Sequence, residues 1–130
     1  MPGTDRVTYD RFQEILLDEA DRIPAKFYNE LNGGVIISPE VKISPYARED
    51  DLIIAGEYQN SHQIGCRIVI YYGSMMRLYG NLPEEMLREK IRGVLRHELK
   101  HHVERLAGEH SLTDQDRKDL REYLAGKAAE

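Results

Sequence analysis

The stretch NLPEEMLREKIRGVLRHELKHHVERLAG, residues Asn81 to Gly108, decides how the rest of the chain is read. Pro83 sits at an early helical position, and Glu84 and Glu85 follow in the first turn, where the helix dipole favours acids. Gly108 is the matching stop signal, so the spacing predicts one helix of about 25 residues. At about 100° per residue, with His97 set at zero, Leu87, Ile91, Val94, Leu95, Leu99 and Leu106 fall between about 60° and 200°, and this arc is the predicted buried face. Glu98 falls inside the arc, at about 100°. His97 and His101 lie at its rim, and Lys100 points away from it into solvent. His102, at about 140°, also faces inward and is expected to be a core histidine or a group that supports a ligand.

Within this helix His97-Glu98-Leu99-Lys100-His101 has the spacing His-Glu-x-x-His, which places two imidazoles one turn apart on the same side. Such a pair can direct two ring nitrogens at one zinc ion about 2 Å away, with the glutamate between them in reach of a metal-bound water as general base. A solvated or structural His/Glu cluster is the plainer alternative. Against it stands Glu98, because a carboxylate among apolar neighbours is costly unless something pairs with it.

Outward from the long helix, the chain reads as α+β. Phe12, Ile15, Leu16, Ala20 and Ile23 recur at helical spacing and predict an amphipathic helix over Thr8 to Arg22. A second helical stretch is expected from Pro24 to Leu31, closed by Asn32-Gly33-Gly34. Val35 to Ile37 and Leu52 to Tyr58 are expected strands. The run from Cys66 to Tyr72, between Gly65 and Gly73, is the clearest strand, with Cys66, Ile68, Ile70 and Tyr72 on one face. After Gly108, Thr113 is positioned to cap a short closing helix that carries Leu120 and Leu124. The expected architecture is helical N-terminus, small mixed sheet, long helix and short C-terminal helix in one domain spanning residues 1–130.

Composition narrows the function classes. The 130 residues are 41% hydrophobic and 32% charged, with a formal net charge of -5, which suits a globular domain and opposes nucleic acid or anionic lipid as the main partner. The longest apolar runs are about five residues, far below the roughly twenty that span a bilayer, and MPGTDRVTYDRF lacks the apolar stretch of a signal peptide. The single cysteine, Cys66, forms no intramolecular disulfide and agrees with a reducing compartment. The expectation is a cytoplasmic protein without membrane or nucleic-acid partners.

A catalytic zinc takes three protein ligands and one open position, so the two histidines need a partner. Glu104 lies on the histidine side but about 7 Å further along the axis, and reads as a supporting or surface group. Beyond Gly108 the chain turns back, which makes Glu109, His110, Asp114 and Asp116 candidates. Asp116 is favoured, since a hard anionic ligand commonly completes a two-His site and this position can face back across the turn. Asp114 and Asp116 also occupy a helix first turn, where acids are expected from the dipole alone. Tyr58, Tyr71, Tyr72, Tyr79, His62 and His110 are candidate oxyanion helpers, although tyrosines in a small domain are mostly packing residues, and none is singled out.

The sequence His97-Glu98-Leu99-Lys100-His101-His102 on a long helix, together with Gly56-Glu57-Tyr58 and the strand Arg67-Ile68-Val69-Ile70-Tyr71-Tyr72-Gly73, resembles the minimal zincins, a family of small zincin-like metallopeptidases. The resemblance covers most of the chain. It implies a small sheet with an edge strand beside the site, zinc on His97 and His101, and Glu98 as general base. In the related Asp-zincins an aspartate shortly after the second histidine supplies the third ligand. That pattern places a glycine three residues and an aspartate six residues after the second histidine, and here those positions are Glu104 and Ala107. Gly108 comes one helical turn later, with the acids following at Asp114 and Asp116. The implied reaction is peptide hydrolysis on a peptide or protein substrate. In so short a chain there is little room for a deep cleft, so the substrate is expected to lie extended beside an edge strand. A non-catalytic metal-binding or protein-interaction domain is the alternative.

Overall fold

β5 (Gly65–Tyr71) is the centre of the main sheet, and its composition explains why. Ile68, Val69, Ile70 and Tyr71 are all buried, and β-branched or aromatic side chains on both faces suit a strand covered on each side. β1 (Gly34–Ser38) runs parallel to it, Ile36 opposite Val69, and β4 (Gly56–Ser61) runs antiparallel on the other flank, Tyr58 opposite Ile68. The order β1-β5-β4 leaves β4 at an edge of the sheet. The computed structural model describes residues 6–46, 52–63, 65–108 and 114–124. Within the last segment the side chains at 116, 117, 120 and 124 lie outside the description.

Two strand boundaries differ from the sequence expectation. The predicted strand Leu52–Tyr58 is divided: β3 (Ile53–Ile54) pairs with β2 (Lys42–Ile43) in a separate antiparallel ribbon, and β4 starts afresh at Gly56. The division falls at Ala55, whose carbonyl accepts the Tyr71 N–H at 2.9 Å and carries the chain from one ribbon to the other. β2 itself has no strong sequence signal, and the Lys42 N–H is held by Ser74 Oγ at 2.8 Å. The second correction concerns Tyr72, which does not continue β5 but opens α2 (Tyr72–Tyr79). Its hydroxyl donates to the Val7 carbonyl at 2.7 Å, and its ring meets Tyr9 and Phe12 edge-on.

The helices follow the apolar periodicity. α1 (Tyr9–Asp21) is capped by Thr8, whose Oγ1 accepts the Arg11 N–H at 3.1 Å, and buries Phe12, Ile15, Leu16 and Glu19. The stretch after Pro24 is a single 3-10 turn, Ala25–Tyr28. α3 (Glu84–Gly108) buries Leu87, Ile91, Leu95, Glu98, Leu99, His102, Val103 and Leu106, close to the predicted face. α4 (Asp114–Leu124) docks through Tyr123, whose ring lies 5.7 Å from that of Phe27 and whose carbonyl accepts Arg96 Nη2 at 2.6 Å. The result is α+β, with one apolar cluster shared by α1, β5 and α3. No helix among the described residues is long and apolar enough to cross a membrane.

Two contacts set α3 between its neighbours. On the α1 side Glu19, only 2% exposed, accepts Arg88 Nη1 at 2.7 Å and Arg92 Nε at 2.8 Å. On the sheet side Gly56 lets the helix come close: a Cβ there would stand 2.7 Å from Val94 Cγ1 and 3.2 Å from Ile70 Cδ1. Gly56→Ala is therefore expected to lower stability by about 1–3 kcal/mol through overpacking. Thermal melts of Gly56→Ala with and without Val94→Ala check this, since the second change should restore most of the loss. Equal melts for the single and double variants would place the cost elsewhere.

Candidate metal centre

The sides of α3 are identified by what they touch. Val94, Arg105 and Glu98, at about 60°, 80° and 100° from His97 around the helix, meet β4 and β5: Val94 packs under Gly56, Arg105 Nη1 donates to Cys66 Sγ at 3.1 Å, and the Tyr58 N–H donates to the Glu98 carboxylate. Arg88, Arg92 and Arg96, at about 180° to 260°, meet α1 and α4. His97 and His101 lie between these two sets of contacts, on the sheet side, and both are exposed. The helix thus carries its two exposed imidazoles on the flank next to the residues that meet β4 and β5.

Their Nε2 atoms are 3.2 Å apart, with the rings nearly perpendicular at 88°. In the metal-free chain one ring can donate to the other at this distance. It is also close to the edge of a tetrahedron around a zinc ion about 2.0–2.1 Å from each nitrogen, so the donor pair fits that metal in separation and in ligand type.

Glu98 is the third member, and it is only 8% exposed. Burial pushes its carboxyl above the usual range, and the Glu57 charge adds to that, while the His101 imidazole and the Tyr58 N–H act the other way. Burial thus raises the carboxyl's affinity for a proton, the direction that favours a general base. Glu57 is held low despite its own burial, because Tyr71, Gln59 and Lys42 stabilise its charge.

His102 lies at the centre of the packing, with no exposed surface. Its Nε2 is 2.8 Å from the Asn29 carbonyl and its Nδ1 is 2.7 Å from the Tyr58 hydroxyl. A carbonyl only accepts, so Nε2 carries the proton and Nδ1 accepts from Tyr58. Burial and the neighbouring Cys66 thiol push the Tyr58 hydroxyl up to about 12. The inward direction of His102 was legible in the periodicity. Its partner was not, because Tyr58 lies 44 residues away in sequence.

The other predicted site residues are distributed differently. Tyr71 donates to Glu57, Tyr72 to Val7, and the Tyr79 ring lies 5.4 Å from Lys90 Nζ, so none of these three serves the histidine pair. His62 lines a cavity of about 350 Å³ with Asn60, Cys66 and Arg105. That cavity begins one turn beyond His101 and includes neither imidazole. Glu104 and Asp114 are exposed. Glu109, His110 and the side chain of Asp116 lie outside the described residues. Among the described residues no group of three His, Cys, Asp or Glu forms a metal-ligand set.

No family model and no curated protein matches the sequence. Among solved structures, a conserved hypothetical protein from Thermus thermophilus is similar, with a TM-score of 0.67 and 30% identity over 78% of this chain and 99% of that one. The chain belongs to that protein's family. The similarity spans nearly the whole relative. The relative's description states no activity, and the functional reading therefore rests on the residues around α3.

Proposed function

We propose that the chain is a zinc-dependent metallopeptidase of the minimal zincin type, with His97 and His101 as metal ligands and Glu98 as general base. The observation that carries this reading is the convergence of two exposed imidazole nitrogens, 3.2 Å apart, beside a buried carboxylate on the same helical turn. Zinc, when bound, supplies Lewis acidity toward a carbonyl and lowers the pKa of a water. Glu98 takes up the proton of the attacking water, helped by the burial that raises its affinity for protons, and returns it to the leaving amine. The outer edge of β4 is the proposed lane for an extended peptide. Asp116 is the proposed third ligand, with Asp114, Glu109 and His110 as alternatives. The lone, buried cysteine Cys66 suits a reducing setting, and we place the protein in the cytoplasm.

The second reading is a metal-binding or protein-interaction domain that has kept this arrangement without catalysis. Elemental analysis of the purified chain tests both. One zinc per chain is expected, falling to background in the His97→Ala, His101→Ala double variant. Stoichiometric zinc that survives the double substitution would place the metal elsewhere. Zinc affinity of Asp116→Ala then identifies the third ligand: a large loss supports ligation, and wild-type affinity with about 1 kcal/mol lower stability reduces Asp116 to a helix-terminus residue.

A further inference from the structure

A six-residue edge strand has hydrogen-bonding partners on one side only, so something besides the sheet must set its height over the helix beneath it. For β4 the ties to α3 are side-chain contacts. Gly56 rests on Val94 at one end. In the middle, Tyr58 makes two polar contacts with opposite ends of one residue. Its backbone N–H donates to the Glu98 carboxylate, and its phenolic hydroxyl donates to His102 Nδ1 at 2.7 Å. His102 is in turn anchored, because its Nε2–H donates to the Asn29 carbonyl at 2.8 Å. Asn29 follows the 3-10 turn and precedes Glu30, the one non-glycine residue among those described with positive φ, 65°.

The chain Asn29, His102, Tyr58, Glu98 is therefore continuous. A fully buried imidazole with both nitrogens committed has one low-energy orientation, and it transmits that orientation to whatever it holds. What it holds is the residue whose amide points at Glu98. We propose that His102 is a positioning residue: by gripping the Tyr58 hydroxyl it fixes the backbone of β4 where the Tyr58 N–H orients the Glu98 carboxylate. This goes beyond assigning His97, Glu98 and His101, and it rests on the reading of Glu98 as base only for its kinetic consequence.

Two variants test it in the full chain, His102→Gln, whose side-chain amide can still donate to Asn29, and Tyr58→Phe, which removes a single oxygen. The first readout is amide hydrogen exchange on the metal-free protein. Exchange at the Tyr58 amide should quicken about tenfold in both variants, as in Glu98→Ala, while the amides of β5 keep their wild-type protection. The second readout is kinetic: kcat should fall about tenfold or more, with KM and zinc content unchanged, as expected for a misaimed catalytic group. A purely structural His102 would lower the melting temperature and leave the Tyr58 amide as protected as in wild type, and that result overturns the proposal. Should His102→Gln fail to fold, Tyr58→Phe decides alone. If Glu98→Gln retains full hydrolysis, the base assignment fails, yet the exchange measurement still decides whether His102 positions Glu98.

Discussion

Glu98→Gln is expected to lower peptide hydrolysis by about a thousandfold, within the span general-base catalysis supplies, while one zinc per chain stays bound. The change is nearly isosteric, so the Tyr58 N–H keeps an acceptor and the helix keeps its packing. The carboxylate points about 60–100° away from the two imidazoles around the helix, which is why its loss should spare the metal. The same variant carries a pH signature. Folding raises the Glu98 pKa above the ordinary carboxyl value of 4.5, with burial as the main cause, so the folded state binds this proton more tightly than the unfolded one. Its effect on stability is therefore absent well below the ordinary value and grows unfavourable as pH rises through the raised one. Glu98→Gln should then melt higher than wild type at neutral pH and equally at acid pH. Loss of zinc in the variant, or turnover within a factor of ten of wild type, would remove Glu98 from the role of base.

Glu19→Ala is expected to lower stability by about 3 kcal/mol, since breaking a buried ion pair leaves charges without partners. For a chain of this size that is about 10 °C in melting temperature. Arg88 and Arg92 are each partly exposed, 23% and 29% on the side chain, and regain some hydration, which keeps the figure below the upper end for fully enclosed pairs. Burial alone would raise the Glu19 pKa, but hydrogen bonds from Arg92 and Arg88 prevail and hold it below the usual 4.5. The stabilisation is accordingly complete above that ordinary value and is lost as pH falls through the depressed one. Melts of wild type and Glu19→Ala should converge in acid. A variant within about 1 kcal/mol of wild type at neutral pH would show that apolar packing between α1 and α3 suffices without the pair.

Much of this was legible in sequence because it is periodic. The bounds of α3, the inward direction of Glu98 and His102, and the rim position of His97 and His101 follow from a repeat of about 3.6 residues and need no knowledge of neighbours. The split at Ala55 was not legible, because Leu52 to Tyr58 has the composition of one strand and only the Ala55–Tyr71 hydrogen bond divides it. α2 was missed for a related reason: Tyr71, Tyr72 and Gly73 read as a strand end, whereas Tyr72 turns inward to meet Val7, Tyr9 and Phe12. The Tyr58–His102 contact escaped because a pair 44 residues apart leaves no periodic trace. Periodicity also says nothing about the third ligand, since the candidates follow a glycine and depend on how the chain reverses.

The strand that roofs Glu98 comes from a different part of the chain than the helix that bears it. An excised α3 would carry His97 and His101 at the same one-turn spacing and could still chelate a metal, but its Glu98 would stand in water with an ordinary carboxyl. Closing the loop between β4 and α3 is what places a buried proton acceptor beside the two imidazoles. The two features need not therefore fail together: conditions that lift β4 off the helix while leaving α3 wound would expose the carboxylate first and separate the two imidazoles last.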